Sequence, residues 1–202
     1  HAAVEIATPL VEQGRHRLRL ELPAQAVPLH VDSARLSQVF ANLLNNAAKY
    51  SDAGSEIVLQ ADADADHVQV RVRDRGIGLS TEQQQHVFEL FAQADNAIER
   101  AHGGLGIGLT LVRHLVQMHG GAVWVRSEGL GHGSEFGVRL PLGARPDAAP
   151  PAPPAPPRTV VGDGHRALVV DDNRDAADTL AMMLELMGLE VLRLYDPPAV
   201  ES

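Results

Sequence analysis

Asn42-Leu-Leu-Asn45-Asn46-Ala-Ala-Lys49-Tyr50-Ser51 is the stretch on which the reading of this chain turns. Leu36, Val39, Phe40, Leu43, Leu44 and Ala47 recur at helical spacing and define an apolar face. Asn42, Asn46 and Lys49 form a polar stripe along the edge of that face, where a helix is half buried. An amide cannot be ionised, and a lysine at such an edge needs an anionic partner. A hard divalent cation shared with phosphate satisfies both. Taken alone, the same trio also describes a solvated helix flank.

Asp74-Arg-Gly76-Ile-Gly78 closes an alternating segment in which Val68, Val70 and Val72 interleave with Gln69, Arg71 and Arg73. That alternation predicts a strand. A carboxylate at its end can accept a hydrogen bond from an exocyclic amine, and the glycines let a flat ring approach the backbone. An ordinary strand-to-turn exit has the same composition. Further on, Gly103-Gly104-Leu105-Gly106-Ile107-Gly108-Leu109 runs into a helical pattern of Leu109, Val112, Leu115 and Val116, closed by Gly120-Gly121. Glycines that open a helix expose backbone N–H groups at its positive end, which suits phosphate. The spacing is not the dinucleotide fingerprint, because Gly108 follows Gly106 too closely. It is not a phosphate loop of the Gly-Lys-Ser/Thr type either. A hinge would read alike.

Periodicity supplies the rest of the organisation. Strands are expected at residues 17–22, 56–61, 67–74, 122–128 and 134–140, and main helices at 33–50 and from Gly108. Ser80 with Gln83 three residues on predicts a capping box and a short helix. Five strands and about three helices fit an α/β fold, a two-layer sandwich on a mixed sheet. After Gly143 the proline run 146–157 excludes helix and sheet and predicts a polyproline-II spacer, roughly 35 Å long if extended. A docking segment for a proline-binding module is the sharper alternative. The tail then restarts: Arg166-Ala-Leu-Val-Val170-Asp171-Asp172 predicts a buried strand ending in paired acids, followed by a helix at 175–187 and a strand at 189–195. Paired carboxylates at a strand end attract a hard cation, although helix capping uses the same residues.

The chain has 202 residues and a formal charge of −9, which argues against nucleic acid and against an anionic membrane surface as partners. It has no cysteine, so no disulfide, and is compatible with a reducing compartment. It carries no apolar run long enough to span a bilayer and no signal peptide. A start at His1 rather than methionine reads as a piece of something longer.

In order and spacing, these motifs resemble the catalytic and ATP-binding domain of bacterial sensor histidine kinases. That domain belongs to a wider superfamily of gyrase, heat-shock chaperone and mismatch-repair ATPases. The N box resembles residues 42–51, the G1 box 74–78, the F box Val87-Phe88-Glu89-Leu90-Phe91 and the G2 box 103–109. The likeness covers residues 1–143. It implies that Asn46 is a magnesium ligand, that Lys49 contacts phosphate, and that Asn42 and Tyr50 line the same pocket. It implies Asp74 as acceptor of the adenine amine, with Gly76 and Gly78 shaping the base site. Gly104, Gly106 and Gly108, with Leu105 and Leu109 beside them, would bracket the phosphates, and Arg100 would reach one from a lid near residues 92–102. ATP and Mg2+ are the implied ligands, drawn in locally against the overall field. In the ATP-hydrolysing branch a glutamate stands one turn before the magnesium asparagine. Here that place is held by Asn42, and an amide is a poor general base. This favours transfer to an acceptor over hydrolysis.

The tail resembles the start of a response-regulator receiver domain, a truncated flavodoxin-like βαβ in which Asp171 and Asp172 form a weak magnesium-binding acidic pair. The family's phosphoacceptor aspartate lies on a third strand, which these residues do not supply. None of the ten histidines has the sequence context of the phosphorylated H box. The expected organisation is therefore a catalytic domain at 1–143, a proline-rich linker at 144–165 and part of a receiver at 166–202. Its implied partners are a dimerisation and histidine-phosphotransfer domain and a receiver domain, in a homodimeric parent. The resemblance places the segment in the cytoplasm without membrane contact. A chaperone- or clamp-type ATPase and a non-catalytic nucleotide-binding regulatory domain are the alternatives.

Overall fold

The asparagine-rich stretch lies on the longest helix among the described residues, Ser33–Tyr50, here α2. Asp32 caps it: its Oδ1 accepts from the Ala34 and Arg35 amides at 2.9 and 3.1 Å, satisfying two of the donors a helix start leaves open. Lys49 in the last turn complements the helix dipole. Leu36, Val39, Leu43, Leu44 and Ala47 are buried, as the periodicity requires, together with Ala41 and Ala48. Each large apolar side chain so covered contributes about 1.5–3 kcal/mol.

The structure is a computed structural model that describes residues 1–29, 31–89, 108–142, 166–171, 177, 180–181, 184–185 and 188–195. The chain divides into two units, His1–Pro150 and Pro151–Ser202. In the first, the other helices among the described residues are α1 (Ala2–Gln13), α3 (Thr81–His86) and α4 (Gly108–Met118). The strands are β1 (Arg17–Glu21), β2 (Glu56–Ala63), β3 (His67–Arg73), β4 (Ala122–Arg126) and β5 (Glu135–Pro141). They form one sheet in the order β1-β2-β3-β5-β4. The β1–β2 pair is parallel and the others are antiparallel, so the sheet is mixed, as expected.

Register puts Leu59 opposite Val72, Val72 opposite Phe136 and Val68 opposite Leu140. These side chains share one face and are buried with Leu43, Leu44, Leu111, Leu115 and Val116 of the helices. The opposite face carries Arg71, Arg73, Glu135 and Arg139, exposed or half-buried. Helices on one side and charge on the other give the two layers.

One helix corrects the expected count. Periodicity did not indicate α1, yet it packs against α2 through Ala3, Ala7 and Val11. Two of those three are alanines, and Pro9 interrupts the pattern, so the apolar stripe is narrow in sequence although complete in space. His16 locks the helix end, with Nε2 2.9 Å from the Ala48 carbonyl and Nδ1 3.1 Å from Ser55 Oγ.

In the second unit β6 (Arg166–Val170) pairs in parallel with β7 (Glu190–Leu194), and residues 177, 180–181 and 184–185 between them are helical. A parallel pair needs such a crossover. Val169, Ala177 and Ala181 are buried, with Leu184, Val191 and Tyr195 packed against them. Leu168, Val170, Leu192 and Leu194 share the other face of the pair and are 37–64 % exposed. Two strands with one covered face are marginal on their own. Amide exchange should therefore leave Val68–Val72 and Val138–Leu140 protected while the amides of β6 and β7 exchange at least a hundred-fold faster. Equal protection of both sheets would show that the open face of the pair is covered.

Candidate functional site

Asp74 directly follows β3. Its amide donates to the Ser134 carbonyl at 2.9 Å, which extends the β3–β5 ladder by one step. Its Oδ1 accepts from the Gly76 amide at 2.8 Å and the Ser134 amide at 3.2 Å. No described residue donates to Oδ2. The side chain is 7 % exposed. Burial pushes its carboxyl above the ordinary carboxylate range, against the opposing pull of the two amides. The result is a buried acid with one oxygen committed to the fold and one uncommitted.

The loop that holds it is stitched to α2. The Ile77 amide donates to the Tyr50 carbonyl at 3.0 Å, and Ser51 and Gly76 form an isolated bridge. Gly76 is required by this approach: a Cβ there would stand 2.1 Å from the Tyr50 carbonyl oxygen. The Ser51 hydroxyl oxygen is buried with no hydrogen-bond partner among the described residues. Gly78 stands against the Gly129 carbonyl.

A polar clamp closes the other side. Gln84 Nε2 donates to the Leu79 and Ser127 carbonyls, and its Oε1 accepts from the Ser127 amide at 3.1 Å. Ser127 Oγ accepts from the Leu79 amide at 2.9 Å and donates to the Gly133 carbonyl at 2.7 Å. This is why β4 ends at Arg126 rather than at 128 as expected. α3 carries Gln84 and starts with the expected capping box, Ser80 with Gln83. Phe88 of the expected F box meets Phe136 edge to face, 6.2 Å between centroids.

On α2, Asn42 and Asn46 lie one turn apart and half-buried, with Lys49 and Tyr50 beyond them. Lys49 Nζ is 5.0 Å from the Tyr50 ring centroid. α4 brings its first residue to this stripe: a Cβ on Gly108 would be 3.6 Å from Asn42 Oδ1. Leu109 follows on the same helix. Thus the stripe meets Gly108 through Asn42, and the loop of Asp74, Gly76 and Gly78 through Tyr50 and Ser51. Arg100, Gly104, Leu105 and Gly106 lie outside the described residues, as do Leu90 and Phe91 of the F box and Asp172. Asp171 directly follows β6 in the second unit, its amide donating to the Leu194 carbonyl at 3.1 Å.

Sequence reasoning missed Gln84 and Ser127. Their partners are 43 residues apart, and no local pattern encodes such a clamp. Among the described residues no three His, Asp or Glu side chains converge. A divalent ion held by Asn46 would therefore need most of its negative charge from a bound ligand, which suits magnesium with a polyphosphate.

Residues 31–144 match the family described as histidine kinase-, DNA gyrase B-, and HSP90-like ATPase. That is more than half of the chain, and the chain belongs to this family. Its α/β fold with a mixed five-stranded sheet is that of histidine-kinase ATPase domains. Similar proteins include one named a histidine kinase and one named a sensor kinase/phosphatase. The circadian input-output histidine kinase CikA of Synechococcus elongatus is 33% identical over 181 residues, 89% of this chain and 23% of that protein. The autoinducer 2 sensor kinase/phosphatase LuxQ of Vibrio vulnificus is 38% identical over 175 residues, 83% of this chain and 20% of its own length. The chain thus spans about a quarter or less of these relatives. Among solved structures, the mycobacterial sensor histidine kinase MprB superposes with a TM-score of 0.59 at 25% identity, covering 69% of this chain and 93% of that one. Full-length ShkA in complex with AMPPNP gives 0.60 at 25% identity, covering 96% of this chain and 39% of that one.

Proposed function

We propose that residues 1–143 hold Mg-ATP and transfer its γ-phosphoryl group to a histidine on a dimerisation domain. We further propose that residues 166–202 begin a receiver domain, joined by the linker 144–165, as in a hybrid sensor kinase of the phosphorelay type. The observation that carries the nucleotide assignment is Asp74. A buried carboxylate with one oxygen held by backbone amides and the other uncommitted is an acceptor waiting for a donor, and the exocyclic amine of adenine is one. The Ser51 hydroxyl beside Gly76, unpartnered among the described residues, points the same way, because a buried oxygen without a partner is costly until a ligand supplies one.

Asn46 would hold magnesium through its neutral amide oxygen, the phosphates supplying the charge, and Asn42 one turn before it would line the same pocket. Lys49 would face the same phosphates. When bound, the ion neutralises charge on the oxygens of the phosphoryl group in transit. Gly104, Leu105, Gly106, Gly108 and Leu109 would surround the phosphate chain, with Arg100 reaching in from the lid. Asn42 stands where a hydrolytic site needs a base, so water is poorly activated and transfer to a positioned nucleophile is favoured. In the second unit Asp171 and Asp172 would form one part of a receiver cation site, weak without a third carboxylate. The parent would be a cytoplasmic-facing homodimer.

Phosphotransfer in trans is the test. Incubated with labelled Mg-ATP alone, the 202-residue chain should gain no acid-labile phosphate. With a dimerisation-helix pair bearing an H-box histidine, that histidine should become labelled, slowly because tethering is lost. Acid-labile label on this chain alone would defeat the assignment of the acceptor. Phosphate release to water at a rate exceeding transfer would restore the clamp-type ATPase.

A further inference from the structure

We infer that His119 is a positioning residue for the phosphate end of this site, although it lies at the opposite end of the helix pair; the inference rests on the ATP reading above. α2 and α4 pack side by side. At one end Gly108, the first residue of α4, lies against Asn42. At the other, His119 follows the last residue of α4, and its Nε2 accepts from the Asp32 amide, the N-cap of α2, at 3.1 Å. Asn42 is about ten residues beyond Asp32, and His119 about eleven beyond Gly108. At 1.5 Å per residue the two spans are about 15 and 17 Å. The helices therefore run antiparallel, close together at Gly108 and Asn42 and tied by a hydrogen bond at His119 and Asp32, with nearly equal lengths of rigid backbone between.

The tautomer of His119 is set by its second contact. Nδ1 lies 2.7 Å from the Leu115 carbonyl, an oxygen that can only accept. Nδ1 therefore carries the proton, and Nε2 is left as an acceptor for the Asp32 N–H. Asp32 is used twice: its carboxylate caps α2 while its amide is tied to α4. Without His119, the Asp32 amide turns to water and the hydrogen bond that ties this end of the pair is lost. A slip of one residue between the helices is about 1.5 Å, and it would move the amides at the start of α4 by that amount relative to Asn42 and Asn46. Displacement on that scale is costly where several groups must converge on one ligand.

The base pocket does not share this dependence. Asp74, Gly76 and Ser134 belong to the β3 exit and the β4–β5 hairpin, and their hydrogen bonds involve neither α4 nor His119. Loss of His119 should thus separate the two halves of the ligand. A simple loss of stability would weaken both alike.

Calorimetry with Mg-ATP and with adenosine on the 202-residue chain tests this. His119→Ala should weaken Mg-ATP binding about ten-fold and leave adenosine within about two-fold. His119→Gln, whose amide offers a donor and an acceptor, should recover more than half of the loss on a logarithmic scale. Should the alanine variant not fold, His119→Gln is compared with His119→Leu, a side chain of similar size without polar atoms. Equal weakening of both ligands, or none of either, would overturn the inference. An unaltered chain that bound neither ligand would remove the ATP reading and this inference with it. An unaltered chain that binds both, with the Mg-ATP to adenosine ratio unmoved in the variants, defeats the inference alone.

Discussion

Asp74→Ala is expected to bind Mg-ATP ten- to a hundred-fold more weakly than the unaltered chain. Loss of one hydrogen bond to a charged group costs about 1.5–3 kcal/mol, which converts to that range. The alanine also strips the Gly76 and Ser134 amides of their acceptor, so some affinity is lost through the loop itself. Asp74→Asn separates the two effects. Its carbonyl oxygen can still accept from both amides, while its NH2 replaces the uncommitted oxygen. An acceptor aimed at the base becomes a donor. Adenine presents an amine at that place and guanine a carbonyl, so the asparagine variant should lose ATP as alanine does and narrow the gap between ATP and GTP. Unchanged ATP affinity in Asp74→Ala would remove the adenine assignment.

The same carboxyl makes binding depend on pH. Burial raises its pKa, so mild acidification protonates it at pH values where an exposed aspartate is still ionised. A protonated carboxyl offers the amine a poorer acceptor. Adenosine affinity should therefore fall as pH drops through the raised pKa, and the Asp74→Asn variant should stay flat across that interval. Stability of the unliganded chain should move oppositely. A folded-state pKa above the unfolded value adds stability that is fully present below the unfolded pKa and is lost as pH rises through the folded one. Acid thus tightens the empty fold, through this group, while loosening its ligand.

How much of this was legible beforehand depends on whether the signal is local. α2 could be read because an apolar face and a polar stripe fall within one continuous segment. Strand ends shifted by a residue or two, as with the expected 134–140 against Glu135–Pro141, because a ladder ends where its partner ends. α1 was invisible because alanine contributes little to an apolar stripe and Pro9 argues against a helix. The parallel pairing of β1 with β2 is carried by no motif in either strand. In the candidate site, Asn42, Asn46, Asp74, Gly76, Gly78 and Gly108 could be singled out as residue types at fixed spacing. The Gln84–Ser127 clamp and the tie from His119 to Asp32 were not. Each joins segments far apart in the chain through one side chain, and only the packed fold makes them neighbours.

Gly133→Ala should produce a large loss of stability for so conservative a change beside Asp74. Gly133 has φ +71, a region unfavourable for alanine by roughly 1–2 kcal/mol. A Cβ there would also stand 2.3 Å from the Asp74 carbonyl oxygen and 2.9 Å from the Arg75 Cα, both backbone atoms that no rotamer change can clear. The loop must move, and it cannot move alone. The Gly133 amide donates to the Gly76 carbonyl at 3.0 Å, and the next residue, Ser134, both accepts from the Asp74 amide and donates to its carboxylate. Loss of that shared bonding brings the expected total to about 2–4 kcal/mol, within the range of strained sites that also lose hydrogen bonds. ATP affinity should fall at least ten-fold in parallel, because the displaced loop carries the Asp74 acceptor. Gly131→Ala is the control. Gly131 has φ +82 but nothing within 4 Å of its Cβ position, so it should show the backbone term alone, roughly 1 kcal/mol, with little change in nucleotide binding. Trp124 is the sole tryptophan and lies on β4, so its fluorescence reports unfolding of this unit without interference from the other. If the two variants unfold at the same denaturant concentration, the crowding at Gly133 is not what holds the Asp74 loop, and the coupling between hairpin and base pocket argued from these contacts is wrong.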